Sequence, residues 1–216
     1  MTDHLDVARI RAVVFDFAGV LTESPRSMMA ERAQHAGRAF EDLAPILMGP
    51  VDDDTDHPWH RVERGEISMD EFNTLIGPMM EEAGLGDGPR PPSPDEMMAR
   101  LRPVPEMLEA ARAVRASGYR TAIVSNNVRE WGAWRTLVDA DELVETVIDS
   151  SDVGMRKPAT GIYELAAVRL DIEIGACLML DDFEWNIRGA ERAGMQALHV
   201  TDPVADSAAL RELLGA

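Results

Sequence analysis

Four short stretches of the 216-residue chain carry side chains that can act together. Asp16 follows the apolar run Ala12-Val13-Val14-Phe15. A carboxylate at the end of a buried strand is poised as a nucleophile, and carboxylates take up phosphoryl groups as aspartyl-phosphates. Gly19, three residues on, lets the backbone turn tightly beside it. Ser125 follows Thr121-Ala122-Ile123-Val124 and precedes Asn126-Asn127; its hydroxyl can donate to a phosphoryl oxygen. Lys157 is the one lysine among 21 Lys and Arg, set in Gly154-Met155-Arg156-Lys157-Pro158. A chain so biased to arginine that keeps one lysine points to a need for a compact ammonium with three rotatable donors. Asp181 and Asp182 follow Cys177-Leu178-Met179-Leu180. Adjacent carboxylates repel unless a cation lies near them. Mg²⁺ suits such a place, since it takes a few carboxylates, waters and substrate phosphate oxygens. Each feature alone has a plainer reading: a strand-end cap, a turn former, a surface loop, a solvated pair.

The elements that must position these groups alternate in type. The three apolar runs above, with Ala197-Leu198-His199-Val200, have the near-continuous hydrophobicity of strands buried on both faces. Between them, residues 105–117, 161–170 and 186–193 read as amphipathic helices, with Gly118 and Gly194 as stops. Alternating strand and helix predicts an α/β fold with a parallel sheet and right-handed crossovers. Ligands of such sheets lie at the carboxyl ends of the strands, where Asp16, Ser125 and the Asp181-Asp182 pair fall.

One region interrupts the alternation. Residues 24–103 show no clear buried strand and read as helices over 26–39, 40–47, 59–64 and 69–83. Ser68 and Glu71 have the spacing of a capping box at the start of the last of these. The Gly- and Pro-rich residues 84–105 read as a returning linker. The expected organisation is a core of residues 1–23 and 104–216 with a helical insert of residues 24–103 after the first strand.

Acids outnumber bases 39 to 21, a formal net charge of −18. That excludes nucleic acid or an anionic membrane as the main partner. An anionic substrate then needs a local cationic site. One cysteine, Cys177, excludes a disulfide framework and a cysteine zinc cluster. No apolar run approaches the ~18 residues of a membrane span, and residues 1–12 lack a signal-peptide core. A reduced, cytoplasmic setting is expected. Oligomeric state is not legible.

Asp16-Phe17-Ala18-Gly19-Val20-Leu21-Thr22, Ile123-Val124-Ser125-Asn126, Arg156-Lys157-Pro158 and Leu180-Asp181-Asp182 come in the order of the four motifs of the haloacid dehalogenase-like hydrolase superfamily. The chain resembles that family over nearly its whole length. Residues 178–195, and Ile162-Tyr163 after Lys157-Pro158, resemble the amino-terminal phosphatase domain of soluble epoxide hydrolase. Trp59 and the stretch from Glu63 to Ser68 resemble the helical cap of that group. The resemblance implies a Rossmann-like core, a cap over the site, and hydrolysis of a small phosphate monoester. Asp16 would attack phosphorus, while Ser125, Lys157 and Asn126 would hold or position the phosphoryl group. Mg²⁺ would be held by the Asp16 carboxylate, the Ala18 backbone carbonyl and Asp182, with Asp181 close by or acting through water. Asn186 would order the metal loop. Mg²⁺ and Lys157 would offset the charge of nucleophile, substrate and transition state.

The pattern departs from the family at Ala18. Its phosphatases carry there a second Asp that protonates the leaving group and then activates water. A methyl group moves no proton, and general acid–base help is typically worth ~10²–10⁴ in rate, or about 3–5 kcal/mol of barrier. Three accounts follow. Another acid (Glu23, Glu184 or one within 52–57) substitutes, or good leaving groups are preferred. Alternatively, the chain is a weak or inactive relative that binds a phosphorylated ligand or a protein partner. The third account is a haloacid dehalogenase, disfavoured because that family uses no Mg²⁺ and Asp181-Asp182 would repel a carboxylate substrate. His57 and His60 read as surface residues at a helix start, Trp131 and Trp134 as packing or rim, and Cys177 as a core hydrophobe. Met28-Met29, Met79-Met80 and Met97-Met98 read as packing, with an apolar substrate chamber as the sharper alternative.

Overall fold

A computed structural model describes residues 5–35, 37–84 and 93–216. The side chains of Met28, Met29 and His35, and linker residues 85–92, lie outside the described residues. Five parallel strands form one sheet in the order β3-β2-β1-β4-β5: β1 (Ala12–Phe15), β2 (Arg120–Ser125), β3 (Thr146–Asp149), β4 (Cys177–Asp181) and β5 (Gln196–His199). β1 is central because both its faces are covered. Val13 and Phe15 pack in one apolar cluster, and Ala12 and Val14 in the other, as the period of two requires.

Between β1 and β2 come α1 (Arg26–His35), α2 (Phe40–Leu47), α3 (Pro58–Glu63), α4 (Met69–Glu82), α5 (Pro94–Arg100) and α6 (Pro105–Ala116). The short α7 (Trp134–Leu137) and α8 (Ala140–Leu143) precede β3, and α9 (Ser150–Val153) and α10 (Thr160–Leu170) follow it. α11 (Glu184–Arg192) joins β4 to β5, and α12 (Pro203–Leu214) closes the chain's secondary structure. α6 covers the Val13 face through Met107, Ala111 and Val114. α10 covers the other through Ile162, Tyr163 and Ala166.

The strand registers place the chemistry. Phe15 pairs with Ile123 of β2 and Leu180 of β4, so Asp16, Ser125, Asp181 and Asp182 leave the sheet at one edge. β3 was not expected. It has only Val147 and Ile148 as consecutive apolar residues and sits at the sheet border, where Thr146 and Val147 stay half-buried. The chain is stitched together on either side of the helices between β1 and β2: Glu23 N–H donates to the Arg102 carbonyl (2.8 Å) and Val104 N–H to that of Leu21 (2.9 Å).

The capping box of α4 is present: Ser68 N–H donates to Glu71 Oε2 (2.8 Å) and Glu71 N–H to Ser68 Oγ (3.2 Å). The same helix buries Phe72, Ile76 and Met80 at four-residue spacing. The returning linker is corrected, because it holds α5. A second capping box, Ser93 with Glu96, starts that helix, and Met97 buries against the core.

Candidate active site

Asp16 is 6% exposed. Its N–H donates to the Leu180 carbonyl at 2.8 Å, extending the β1–β4 ladder by one residue. Its Oδ1 accepts from Phe17 N–H (2.6 Å) and lies 2.8 Å from Lys157 Nζ. The chain then folds back, with Leu21 and Thr22 N–H both donating to the Phe17 carbonyl (2.9 and 3.0 Å). Gly19 makes that turn at φ +94°, and a Cβ there would lie 2.3 Å from the Asp182 carboxylate. Two constraints thus demand glycine: the dihedral and the neighbour.

Lys157 is fully buried, its ammonium bridging Asp16 Oδ1 and Asp181 Oδ2 (2.7 Å). Asn126 grips its backbone twice, accepting from Lys157 N–H (2.8 Å) and donating to its carbonyl (2.9 Å). The amide read as a phosphoryl-positioning group thus also holds the lysine loop in place. α11 presses on that loop at Gly189, where a Cβ would meet the Pro158 carbonyl at 2.6 Å. Asp181 Oδ1 accepts from Phe183 N–H (2.9 Å) and Asn186 Nδ2 (3.0 Å). Asn186 therefore orders this loop as expected.

Asp182 Oδ2 accepts from Ser24 Oγ at 3.0 Å, with Arg26 Nε 3.9 Å away. Its Oδ1 is buried without a partner among the described residues. Burial, then repulsion from Asp181, pushes the Asp182 carboxyl up to about 6. Burial and Asp181 likewise hold Asp16 well above the carboxylate range against the pull of Lys157. Burial works against the Lys157 ammonium, but Asp16 and Asp181 together outweigh it, and its pKa lies above the ordinary value.

Asp16, Asp181 and Asp182 each offer an oxygen within 4.8 Å of the others. Three buried carboxylates meet beside one ammonium that bridges two of them, and Asp182 Oδ1 has no partner among the described residues. That arrangement fits a hard divalent cation with oxygen ligands.

Above this cluster a cavity of about 150 Å³ is lined by Asp16, Ala18, Ser125, Asn126 and Lys157 at its floor. Its other walls are largely apolar and come from both insert and core, including Met97 and Met98. Ser125 is buried, its Oγ making one long contact (3.4 Å) to the Asn126 carbonyl. The carboxylates on the wall are Asp16 and Glu63. Glu23, Glu184 and residues 52–57, the acids considered as substitutes at Ala18, do not line it. Glu63 accepts from Arg156 Nε (2.6 Å) in a buried pair joining α3 to the residue before Lys157.

The family model of the haloacid dehalogenase-like hydrolases matches residues 10–194. The chain belongs to the haloacid dehalogenase-like hydrolases. Acyl-CoA dehydrogenase family member 10 of Mus musculus is 27% identical over 212 residues, covering 95% of this chain and 19% of that protein. A sesquiterpene phosphatase of Aspergillus oryzae is 26% identical over 207 residues, covering 95% and 97%. Bifunctional epoxide hydrolase 2 of Rattus norvegicus is 27% identical over 218 residues, covering 94% and 38%. The chain thus spans well under half of the first and third of these relatives. Among solved structures, a family enzyme of Bacteroides thetaiotaomicron in complex with magnesium and inorganic phosphate superposes with a TM-score of 0.63 at 19% identity, covering 89% and 96%.

Some residues of this haloacid dehalogenase-like hydrolase escaped the sequence reading. Asp149, buried at the end of β3, accepts from Asn127 Nδ2 (2.7 Å), Trp134 Nε1 (3.0 Å) and Ser151 N–H and Oγ (3.0 and 2.7 Å). It thereby fixes the loop after Ser125. Its signal was the run Val147-Ile148-Asp149-Ser150, a strand end too short to stand out. The histidine reading is corrected. His60 is fully buried, its Nδ1 accepting from Thr55 N–H (2.9 Å), and burial and Arg156 push its pKa down to about 3. His57 caps α3, its Nδ1 accepting from Trp59 N–H (3.2 Å). Cys177 is a buried core residue whose thiol burial pushes up to about 11. Among the described residues no helix is long and apolar enough to cross a membrane.

Proposed function

We propose that this hydrolase is a Mg²⁺-dependent phosphatase acting on small phosphate monoesters, with residues 1–23 and 104–216 as its core and 24–103 as its cap. The observation that carries this reading is the buried triad Asp16, Asp181 and Asp182 beside Lys157, with one Asp182 oxygen unpaired among the described residues. The phosphatase names among the relatives, and magnesium and phosphate in the Bacteroides enzyme, support it. A cytoplasmic setting fits the single buried Cys177.

Mg²⁺ would be held by Asp16, the Ala18 carbonyl and Asp182, with Asp181 beside it, and would neutralise charge on the transferring phosphoryl group. Asp16 attacks phosphorus, the P–O bond to the alcohol breaks, and an aspartyl-phosphate forms with release of the alkoxide. Water then attacks phosphorus, the bond from Asp16 oxygen to phosphorus breaks, and inorganic phosphate leaves while the alkoxide takes up through solvent the proton that water loses. Lys157 orients Asp16 and supplies a fixed positive charge in a water-poor floor. Ser125 donates to a phosphoryl oxygen. Ala18 takes no part in proton transfer, so substrates whose leaving groups need no proton, acyl phosphates and aryl phosphate esters, react best.

Acid quenching during turnover, followed by mass spectrometry, should find a phosphoryl adduct on the peptide containing Asp16. Saturating substrate with turnover and no adduct there excludes this route. Ala18 also favours a second reading, a relative that binds a phosphorylated ligand or protein partner without turning over. Tight binding of phosphate esters with no phosphate released would select it.

A further inference from the structure

All four tryptophans of the chain line the cavity above Asp16. Two of them have ordinary packing roles. Trp134 donates its indole N–H to Asp149, and Trp185 stacks on Phe183 with centroids 4.4 Å apart. Trp59, from α3 of the insert, and Trp131, from the loop after β2, differ. Their ring centroids lie 6.1 Å apart, and they are 6% and 9% exposed. Both indole nitrogens are buried without a partner among the described residues.

An indole N–H is a donor only, and a buried tryptophan normally places it on an acceptor. Two unpaired donors on neighbouring rings of one cavity wall are costly unless something arrives to accept. The wall is largely apolar, with Met48, Val51, Met97 and Leu101, and its charged side chains are already engaged, Glu63 with Arg156 and Arg26 with Asp182. A polyhydroxylated body would leave most of its hydroxyls unpaired there, whereas a hydrocarbon body would be accommodated.

Resting on the phosphatase reading, we propose that the substrate is a phosphate monoester of an apolar alcohol carrying one uncharged oxygen acceptor, a hydroxyl, ether or carbonyl. The phosphate lies over Asp16 and Lys157, the hydrocarbon lies against the tryptophans, and the oxygen accepts from Trp59 or Trp131.

The test uses heptyl phosphate, a series in which one methylene is replaced by an ether oxygen at successive positions, and glycerol 3-phosphate. Each is assayed with the unaltered chain and with Trp59→Phe and Trp131→Phe, which keep an aromatic ring and remove the donor. Glycerol 3-phosphate should have the lowest kcat/KM. In at least one variant, one ether should lose about three- to tenfold more in kcat/KM than heptyl phosphate loses, the size of a neutral hydrogen bond. Tryptophan emission of Asp16→Asn, which retains all four indoles, should shift on titration with that ether and not with inorganic phosphate.

Equal loss on every ester, or no loss on any, overturns the assignment of the acceptor. Glycerol 3-phosphate as the best substrate overturns the apolar body. An emission shift without phosphate release would sink the phosphatase reading and leave the pocket assignment standing. Release without preference or shift would do the reverse.

Discussion

At the carboxyl edge of the sheet, Asp16, Lys157, Asp181 and Asp182 lie buried together, and each makes at least one hydrogen bond or ion pair. On the wall above them, Trp59, Met48, Met97 and Leu101 are joined by the buried pair of Glu63 with Arg156. The floor is specified by charge and by strand register, and each group there constrains the next. The roof is specified by shape and apolar area, which many residue sets can satisfy. On the proposed reading, chemistry and selectivity answer to different parts of the chain, and substitutions in the two should fail differently.

Lys157→Met should give the largest effect. It leaves Asp16 and Asp181 buried without their shared cation, and breaking a buried pair this way costs about 3–5 kcal/mol. Urea titration should show that loss, and phosphate release should be abolished. A stable, active Lys157→Met protein would break the claim that the floor depends on charge matching.

Ala18→Asp should sharpen the same contrast in the other direction. If only the missing proton donor limits the rate, alkyl phosphates gain up to about 10²-fold in kcat while aryl phosphates gain little. Equal gains on both, measured across leaving groups of graded pKa, would show that proton transfer is not what Ala18 lacks.

Glu63→Gln removes the closer carboxylate of buried Arg156 and leaves it Asp54 at 3.8 Å. A stability loss of about 1–3 kcal/mol is expected, read by thermal or urea unfolding. KM should change more than kcat, because the pair lines the wall and stands one residue from Lys157. A change in kcat alone would move Glu63 into the chemistry of the floor.

The smallest effect concerns pH. Asp182 titrates at about 6 in the metal-free fold against an ordinary 3.8. Between those values the folded chain holds a proton that the unfolded chain has lost, so stability falls as pH rises through this window. Mg²⁺ competes with that proton, and it should raise Tm more at pH 7 than at pH 5. A metal-induced shift equal at both pH values would exclude Asp182 as a ligand.

The floor was legible in the sequence because its residues follow apolar runs that both faces of the sheet bury. Asp16, Ser125, Asp181 and Asp182 could be placed together from strand ends alone. β3 escaped because a border strand shows two apolar residues in place of four. α5 escaped because its Ser93-to-Glu96 capping box sits beside a run of Gly and Pro. The Glu63–Arg156 pair joins residues 93 apart, and no local pattern announces it. His60 looked like a surface residue since its burial comes from the loop around Thr55 and from neighbours distant in sequence. Asn126 was assigned to the right loop, but its hydrogen bonds go to the backbone of Lys157.

Phosphate release from acyl, aryl and alkyl phosphates, with Mg²⁺ or with EDTA, and with Asp16→Asn beside the unaltered chain, tests the central claim most directly. Release that requires Mg²⁺, falls from acyl and aryl to alkyl esters, and vanishes in Asp16→Asn is the expected result. Undiminished release from Asp16→Asn, or no release from any ester by folded protein with Mg²⁺, would contradict it.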